Sequence, residues 1–196
     1  MGHVVEFART LYRDVGLEAK AYALRDEIER GIQEHGVIVH PRYGRMYAYE
    51  TDGRGHHLLM DDANVPSLLS MPYLGYLPAS DELYQNTRRF VLSHDNPYYC
   101  EGVSARGIGS PHTPPGYIWP IALAMQGLTS LDHAEQDEIL DMLVTTTAGS
   151  DAMHESFDPN DPRQFTRPWF AWANSLFAEF VQAWMARRDA AAAGGE

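Results

Sequence analysis

Apolar residues recur at helical spacing along most of the chain. Leu17, Ala21, Leu24, Ile28 and Ile32 share one face of a segment spanning 17–35, and Gly36 supplies a C-terminal stop. A shorter helix is predicted over 4–14, separated from it by Gly16. Helix pairs follow over 65–76 and 80–93 and over 117–128 and 131–148, and a last helix spans 168–188. Pro72 should end or kink the first of these, and Asp132 and Glu135 stand where a helix start favours acids. The period changes at Val37-Ile38-Val39-His40 and Met46-Tyr47-Ala48-Tyr49. These are short β-type runs around Pro41-Arg42-Tyr43-Gly44-Arg45, which predict a hairpin inserted between helices.

Polar stretches alternate with this pattern. Long ones cover 50–64, 94–116 and 148–166, while Pro78-Ala79 and Thr129-Ser130 read as tight helix–helix turns. The alternation predicts an all-α fold of layered helical hairpins with its long loops gathered at one end, as in a toroid of such hairpins. Loops beyond about 12–15 residues are usually functional or disordered. The tyrosines and dense turn residues of 94–116 argue for order.

Composition narrows the class. The chain has 196 residues, 44% hydrophobic and 21% charged, which suits one globular domain. A net charge of -12 argues against nucleic acid or an anionic membrane as partner. The single cysteine, Cys100, rules out an internal disulfide and a cysteine-based zinc site, and fits a reducing compartment. With no signal-peptide apolar region and no apolar run of membrane-spanning length, a cytoplasmic location is expected. A helical pattern starting within a few residues of Met1 leads us to expect that the chain begins inside a larger fold. Residues 190–196 read as a disordered, low-complexity tail after a domain over 1–189.

The chemistry sits in the long loops. Met153-His154-Glu155-Ser156-Phe157-Asp158 puts His, Glu, Ser and Asp side by side between helices. The plainer alternative makes Glu155 and Asp158 solvated charges and Ser156 or Asp158 a turn cap. Asp61, Asp62 and Asn64 precede an apolar run, where one N-cap would need only one of them. His112 lies in Ser110-Pro111-His112-Thr113 and has a structural hydrogen bond as its default role. Trp169, Trp172 and Phe177 are core residues by default, but tryptophan at a cleft mouth can also stack on a sugar face. The glycines match no phosphate-binding motif, and neither a His-x-x-x-His pair nor a Gly-x-Ser-x-Gly elbow is present. No cofactor or metal is therefore expected. Carboxylates with aromatics and no cofactor motif point to glycoside hydrolysis.

Four segments make a more specific case. Asp61-Asp62-Ala63-Asn64-Val65-Pro66-Ser67-Leu68-Leu69, then Gly107-Ile108-Gly109-Ser110-Pro111-His112-Thr113 leading to Ile118-Trp119-Pro120, then Met153-His154-Glu155-Ser156-Phe157, then Thr166-Arg167-Pro168-Trp169-Phe170-Ala171-Trp172-Ala173-Asn174-Ser175 follow in order. Together they resemble glycoside hydrolase family 125, the metal-independent exo-acting α-1,6-mannosidases with an (α/α)6 barrel. The resemblance implies an inverting hydrolase with Glu155 as general base. It implies sugar-binding roles for Asp61, Asp62, Asn64, His112, Trp119, His154, Arg167 and Trp172. It covers only the C-terminal half of the family. The family's general acid lies in an upstream Arg-Pro-Ser-Asp-Asp motif, which this sequence lacks. The expected partners are a mannose-containing oligosaccharide and either a second copy or an N-terminal half. The alternative functions are a non-catalytic mannoside-binding or structural half-barrel and an (α/α)6 enzyme of different linkage specificity.

Overall fold

In the computed structural model, which describes residues 2–193, helices dominate and four two-stranded antiparallel hairpins are set between them. The first helix, α1 (Gly2–Phe7), continues through a wide turn to Tyr12, and α2 (Val15–Gly31) follows, extended by a similar turn to Gly36. The predicted break at Gly16 falls three residues earlier. Arg13 takes a left-handed φ of 50°, and Asp14 caps α2 by accepting the Leu17 N–H at 2.9 Å. Gly16 thus lies within the first turn of α2.

The predicted hairpin is present as β1 (Val37–His40) and β2 (Gly44–Tyr47), with Val37 opposite Tyr47. Next comes β3 (Glu50–Thr51) paired with β4 (His57–Leu58), then α3 (Glu82–Val91) capped by Asp81. The strands β5 (Tyr99–Glu101) and β6 (Arg106–Ile108) precede α4 (Pro120–Leu128) and α5 (His133–Thr145). Finally β7 (Ser156–Phe157) pairs with β8 (Phe165–Thr166), and α6 runs from Ala171 to Ala193. Each predicted long loop therefore carries a small hairpin. The expected tail begins within α6, and its last three residues lie outside the described part of the chain. Among the described residues no helix is long and apolar enough to cross a membrane.

The helix predicted over 65–76 is absent, and a series of turns replaces it. Ser67 and Ser70 bond each other's backbone N–H groups, and the Asp61 carboxylate takes the N–H groups of Leu68 and Leu69. Side-chain acceptors thus replace the carbonyls that a helix would have used.

The core centres on α4, whose Ile121, Ala122, Leu123, Ala124 and Met125 are all buried. It packs against α5 and α6, with Phe157 and Ile108 from the strands and Ile118 from the loop before α4 filling the same cluster. Arg88 of α3 donates to both oxygens of Glu135 at 2.9 Å, with Gln126 and Ser130 on the same carboxylate, and so ties α3, α4 and α5 together. Burial pushes the Glu135 carboxyl upward, but Arg88 and these hydrogen bonds outweigh it and hold it below its usual range.

Gly127 is required by a close approach: a Cβ there would meet Phe180 Cε2 at 2.3 Å. Gly127→Ala should destabilise the fold by about 1–3 kcal/mol despite alanine's better helix propensity. Thermal unfolding should show a lower midpoint, partly restored by the ring-removing second change Phe180→Leu.

Candidate active site

Glu155 is positioned by the hairpin that follows it. Its own N–H donates to the carbonyls of Thr166 and Arg167, and Ser156 and Phe157 pair with Thr166 and Phe165. Inside the hairpin, Ser156 Oγ and Thr166 Oγ1 bond at 2.8 Å. The Glu155 side chain is 13% exposed, and Arg167 Nε stands 3.3 Å from its Oε1. Among the described residues no donor reaches the other oxygen. Asp158 turns away to accept the Asn160 and Asp161 N–H groups, so it is the turn residue of the plainer alternative.

His154 is buried, with Nδ1 2.8 Å from the Pro168 carbonyl and Nε2 3.1 Å from the Thr147 carbonyl. Its ring stacks on Phe165 at 3.8 Å. Both nitrogens are engaged by backbone, so His154 clamps the loop. Asn174, in the first turn of α6, grips the same loop from the other side. It accepts the Met153 N–H at 3.1 Å and donates to the Met153 carbonyl at 3.0 Å.

Arg167 adopts a φ of 40°, a left-handed conformation that a residue with a Cβ takes at a cost. This turn aims the chain from β8 into the Pro168–Phe170 segment, whose Phe170 N–H reaches the Met153 carbonyl at 3.0 Å. Arg167→Gly should be more stable than Arg167→Ala by about 1 kcal/mol in urea unfolding, because glycine relieves the left-handed strain.

Asp61 and Asp62 divide their roles. Asp61 is fully buried, and its two oxygens accept the Leu68 and Leu69 N–H groups at 2.8 and 2.9 Å. Burial raises its carboxyl to about 7 against the pull of those bonds. Asn96 holds the Asp61 backbone on both sides, accepting its N–H and donating to its carbonyl. Asp62 accepts from Asn64, both backbone and amide. The segment joins the next loop where the Ala63 N–H meets the Gly109 carbonyl at 3.1 Å.

From there a ladder of backbone bonds leads to Glu155. The Trp119 N–H reaches Ile108, and Ile118 and Phe157 exchange N–H bonds at 2.9 Å. The four sequence segments are thus neighbours in one hydrogen-bonded layer. Trp119 is buried, with its indole N–H on Thr113 Oγ1 at 2.8 Å and its ring edge-on to Phe170. His112 is exposed, its N–H on Ser110 Oγ. Trp172 and Trp169 are 62% and 65% exposed, which removes the core reading for both, whereas Phe177 packs against the core. Sequence reasoning missed the clamps Asn96 and Asn174, because a lone asparagine beside Pro97 or inside a helix carries no periodic signal.

The sequence model of the metal-independent alpha-mannosidases, glycoside hydrolase family 125, matches residues 1–182. The chain belongs to that family. Among family relatives, a metal-independent alpha-mannosidase of Streptococcus pneumoniae, solved in a non-productive complex with alpha-1,6-mannobiose, shares 47% identity at a TM-score of 0.90. The match covers 94% of this chain and 44% of that one. The meiotically up-regulated gene 157 protein of Schizosaccharomyces pombe is 50% identical over 171 residues, 87% of this chain and 33% of that protein. This family member therefore spans between a third and a half of the relatives it matches.

Proposed function

We propose that the chain carries the water-activating side of an inverting hydrolase that removes terminal α-1,6-linked mannose within an (α/α)6 barrel. The observation that carries this reading is the setting of Glu155. It is a nearly buried carboxylate anchored by its own backbone, with one oxygen facing Arg167 and the other without a donor among the described residues. The free oxygen can take a proton from a water attacking the anomeric carbon, while Arg167 fixes the carboxylate's orientation. Inversion needs a second carboxyl about 6.5–9.5 Å away to protonate the leaving oxygen. Asp61 is a poor acid for this, since both its oxygens are used by backbone N–H groups. The acid belongs to an upstream segment of the complete domain.

Asp62, Asn64 and His112 supply polar groups for sugar hydroxyls, and Trp172 supplies an exposed ring for a sugar face. Trp119 and His154 support that surface from beneath. The bound mannobiose of the streptococcal relative supports a mannoside as ligand. The test is NMR of α-1,6-mannobiose with a well-packed sample. Prompt β-mannose from this chain alone would place the acid among its own carboxylates. Saturable binding without turnover is the result expected of the isolated chain, and it is also what the mannoside-binding half-barrel predicts. Adding the upstream segment separates the two, because only the enzyme reading then gives β-mannose.

A further inference from the structure

Of the nine histidines in the chain, His154 alone is buried, at 1% exposure. Its ring faces two carbonyl oxygens: that of Pro168, 2.8 Å from Nδ1, and that of Thr147, 3.1 Å from Nε2. A carbonyl oxygen can only accept, so each of these bonds needs an N–H on the ring. A neutral imidazole has one N–H in either tautomer and would set a lone pair against the other carbonyl. Only the imidazolium completes both bonds. The ring also lies flat on Phe165, with centroids 3.8 Å apart and planes 5° from parallel. Neutral aromatic pairs prefer offset or edge-on arrangements, whereas the face of a phenyl ring attracts a cation. The charged residues on the elements around the ring are Glu155 and Asp158 on its own loop, Asp161, Arg163 and Arg167 on the β7–β8 hairpin and just beyond it, and Asp151 in the turn after α5. Asp158 is occupied by the hairpin backbone, Asp161 pairs with Arg163, and Glu155 pairs with Arg167. The ring's partners are therefore the two carbonyls.

We infer that His154 is a proton-dependent positioning residue for Glu155. As the imidazolium it ties the loop on both sides, to the turn that leaves α5 and to the segment after β8. The second tie bears on Arg167, whose left-handed φ of 40° lies directly before Pro168. The Glu155 N–H on the Arg167 carbonyl and the His154 ring on the Pro168 carbonyl together hold that strained residue. With it they hold the guanidinium that stands 3.3 Å from Glu155 Oε1. When the ring gives up one proton, the longer bond, to Thr147, opens first. The turn over 147–152 then loses its grip on the residue beside Glu155. The catalytic meaning of the clamp rests on the function proposed above, but the clamp itself does not.

Nitrogen-15 NMR of the whole chain reads the clamp directly. At pH 6 one histidine ring should show two slowly exchanging N–H protons, both with through-space contacts to the Phe165 ring. At pH 8.5, beyond the range in which histidine changes charge, it should show one. Over the same interval the exchange protection of the Glu155 amide, corrected for intrinsic exchange, should fall at least tenfold. Asp61 titrates in the same window, at about 7. The measurement is therefore repeated on Asp61→Asn, where the fall should persist, and on His154→Gln, where it should vanish. Near-UV circular dichroism checks both folds, and if His154→Gln does not fold, the wild-type and Asp61→Asn readings decide alone. A ring with a single N–H at pH 6 overturns the inference. So does a ring unchanged between the two pH values, a Glu155 amide whose protection ignores the proton, or a fall that disappears in Asp61→Asn. None of these readings depends on turnover. Failure of the general-base assignment would therefore leave the clamp standing, and failure of the clamp would leave that assignment to its own test.

Discussion

Asp61→Asn should destabilise the chain by about 1–3 kcal/mol at pH 5, and the gap should close above pH 7. At pH 5 the wild-type carboxyl is protonated in the fold, because burial lifts it from its ordinary value to about 7. It still offers oxygen to the N–H groups of Leu68 and Leu69. The amide of asparagine must turn its NH2 toward one of them, leaving a buried donor facing a donor. The pH dependence follows from the raised carboxyl. Its contribution is fully present below the unfolded value of 3.8 and is lost as pH rises through about 7. The loss is on the order of 4 kcal/mol across that range. Asparagine does not titrate, so the difference between the two proteins isolates this one group. Asp95 and Asp161 run the opposite way: Tyr43 lowers the first carboxyl and Arg163 the second, so their contribution is lost only as pH falls below the unfolded value of 3.8 and is constant from pH 5 to 8. Urea midpoints at pH 5, 6, 7 and 8 measure the difference, and a constant gap would show that Asp61 is ionised throughout.

This residue also shows where the sequence was legible and where it was not. Asp61, Asp62 and Asn64 stand before an apolar run, where one cap would need only one of them. The surplus by itself assigns no role, and in the fold the Asp61 carboxyl holds Leu68 and Leu69 by bonds that span seven and eight residues. No local pattern announces such a bond, and the same bond removed the helix expected over 65–76. Helices with a strong local signal were readable. Asp132 caps α5 through the Ala134 N–H, Asp81 caps α3, and Gly36 ends the turn after α2. The strands in the long loops were not readable, since two or three residues are too few to show alternation. Glu155 stood out because of its motif. Its setting depends on Thr166, Arg167 and Asn174, which only the fold brings to it. The exposed α1–α2 face was legible in a different way. Leu17, Leu24 and Ile28 form a good helical stripe, and a stripe shows that a face wants cover without showing whether this chain supplies it.

In any preparation that hydrolyses α-1,6-mannobiose, Glu155→Gln should lower kcat by roughly 10²–10⁴-fold with little change in KM. The amide keeps the size of the side chain and cannot take a proton from water. The backbone that holds it is untouched, because the anchoring bonds run from the Glu155 N–H to Thr166 and Arg167. Losing the ion pair to Arg167 should cost about 0–1 kcal/mol in stability, since the guanidinium is largely exposed. Fold and chemistry are therefore separable at this position, unlike at Asp61, where removing the carboxylate acts on the fold itself. Arg167→Ala provides the contrast. It leaves the base in place but frees its orientation, so kcat should fall by a smaller factor than with Glu155→Gln. Equal losses in the two variants would mean that Arg167 touches the sugar directly. An unchanged kcat in Glu155→Gln, with folding intact, would move the water-activating role to another carboxylate and remove the basis for reading this loop as the base side of the site.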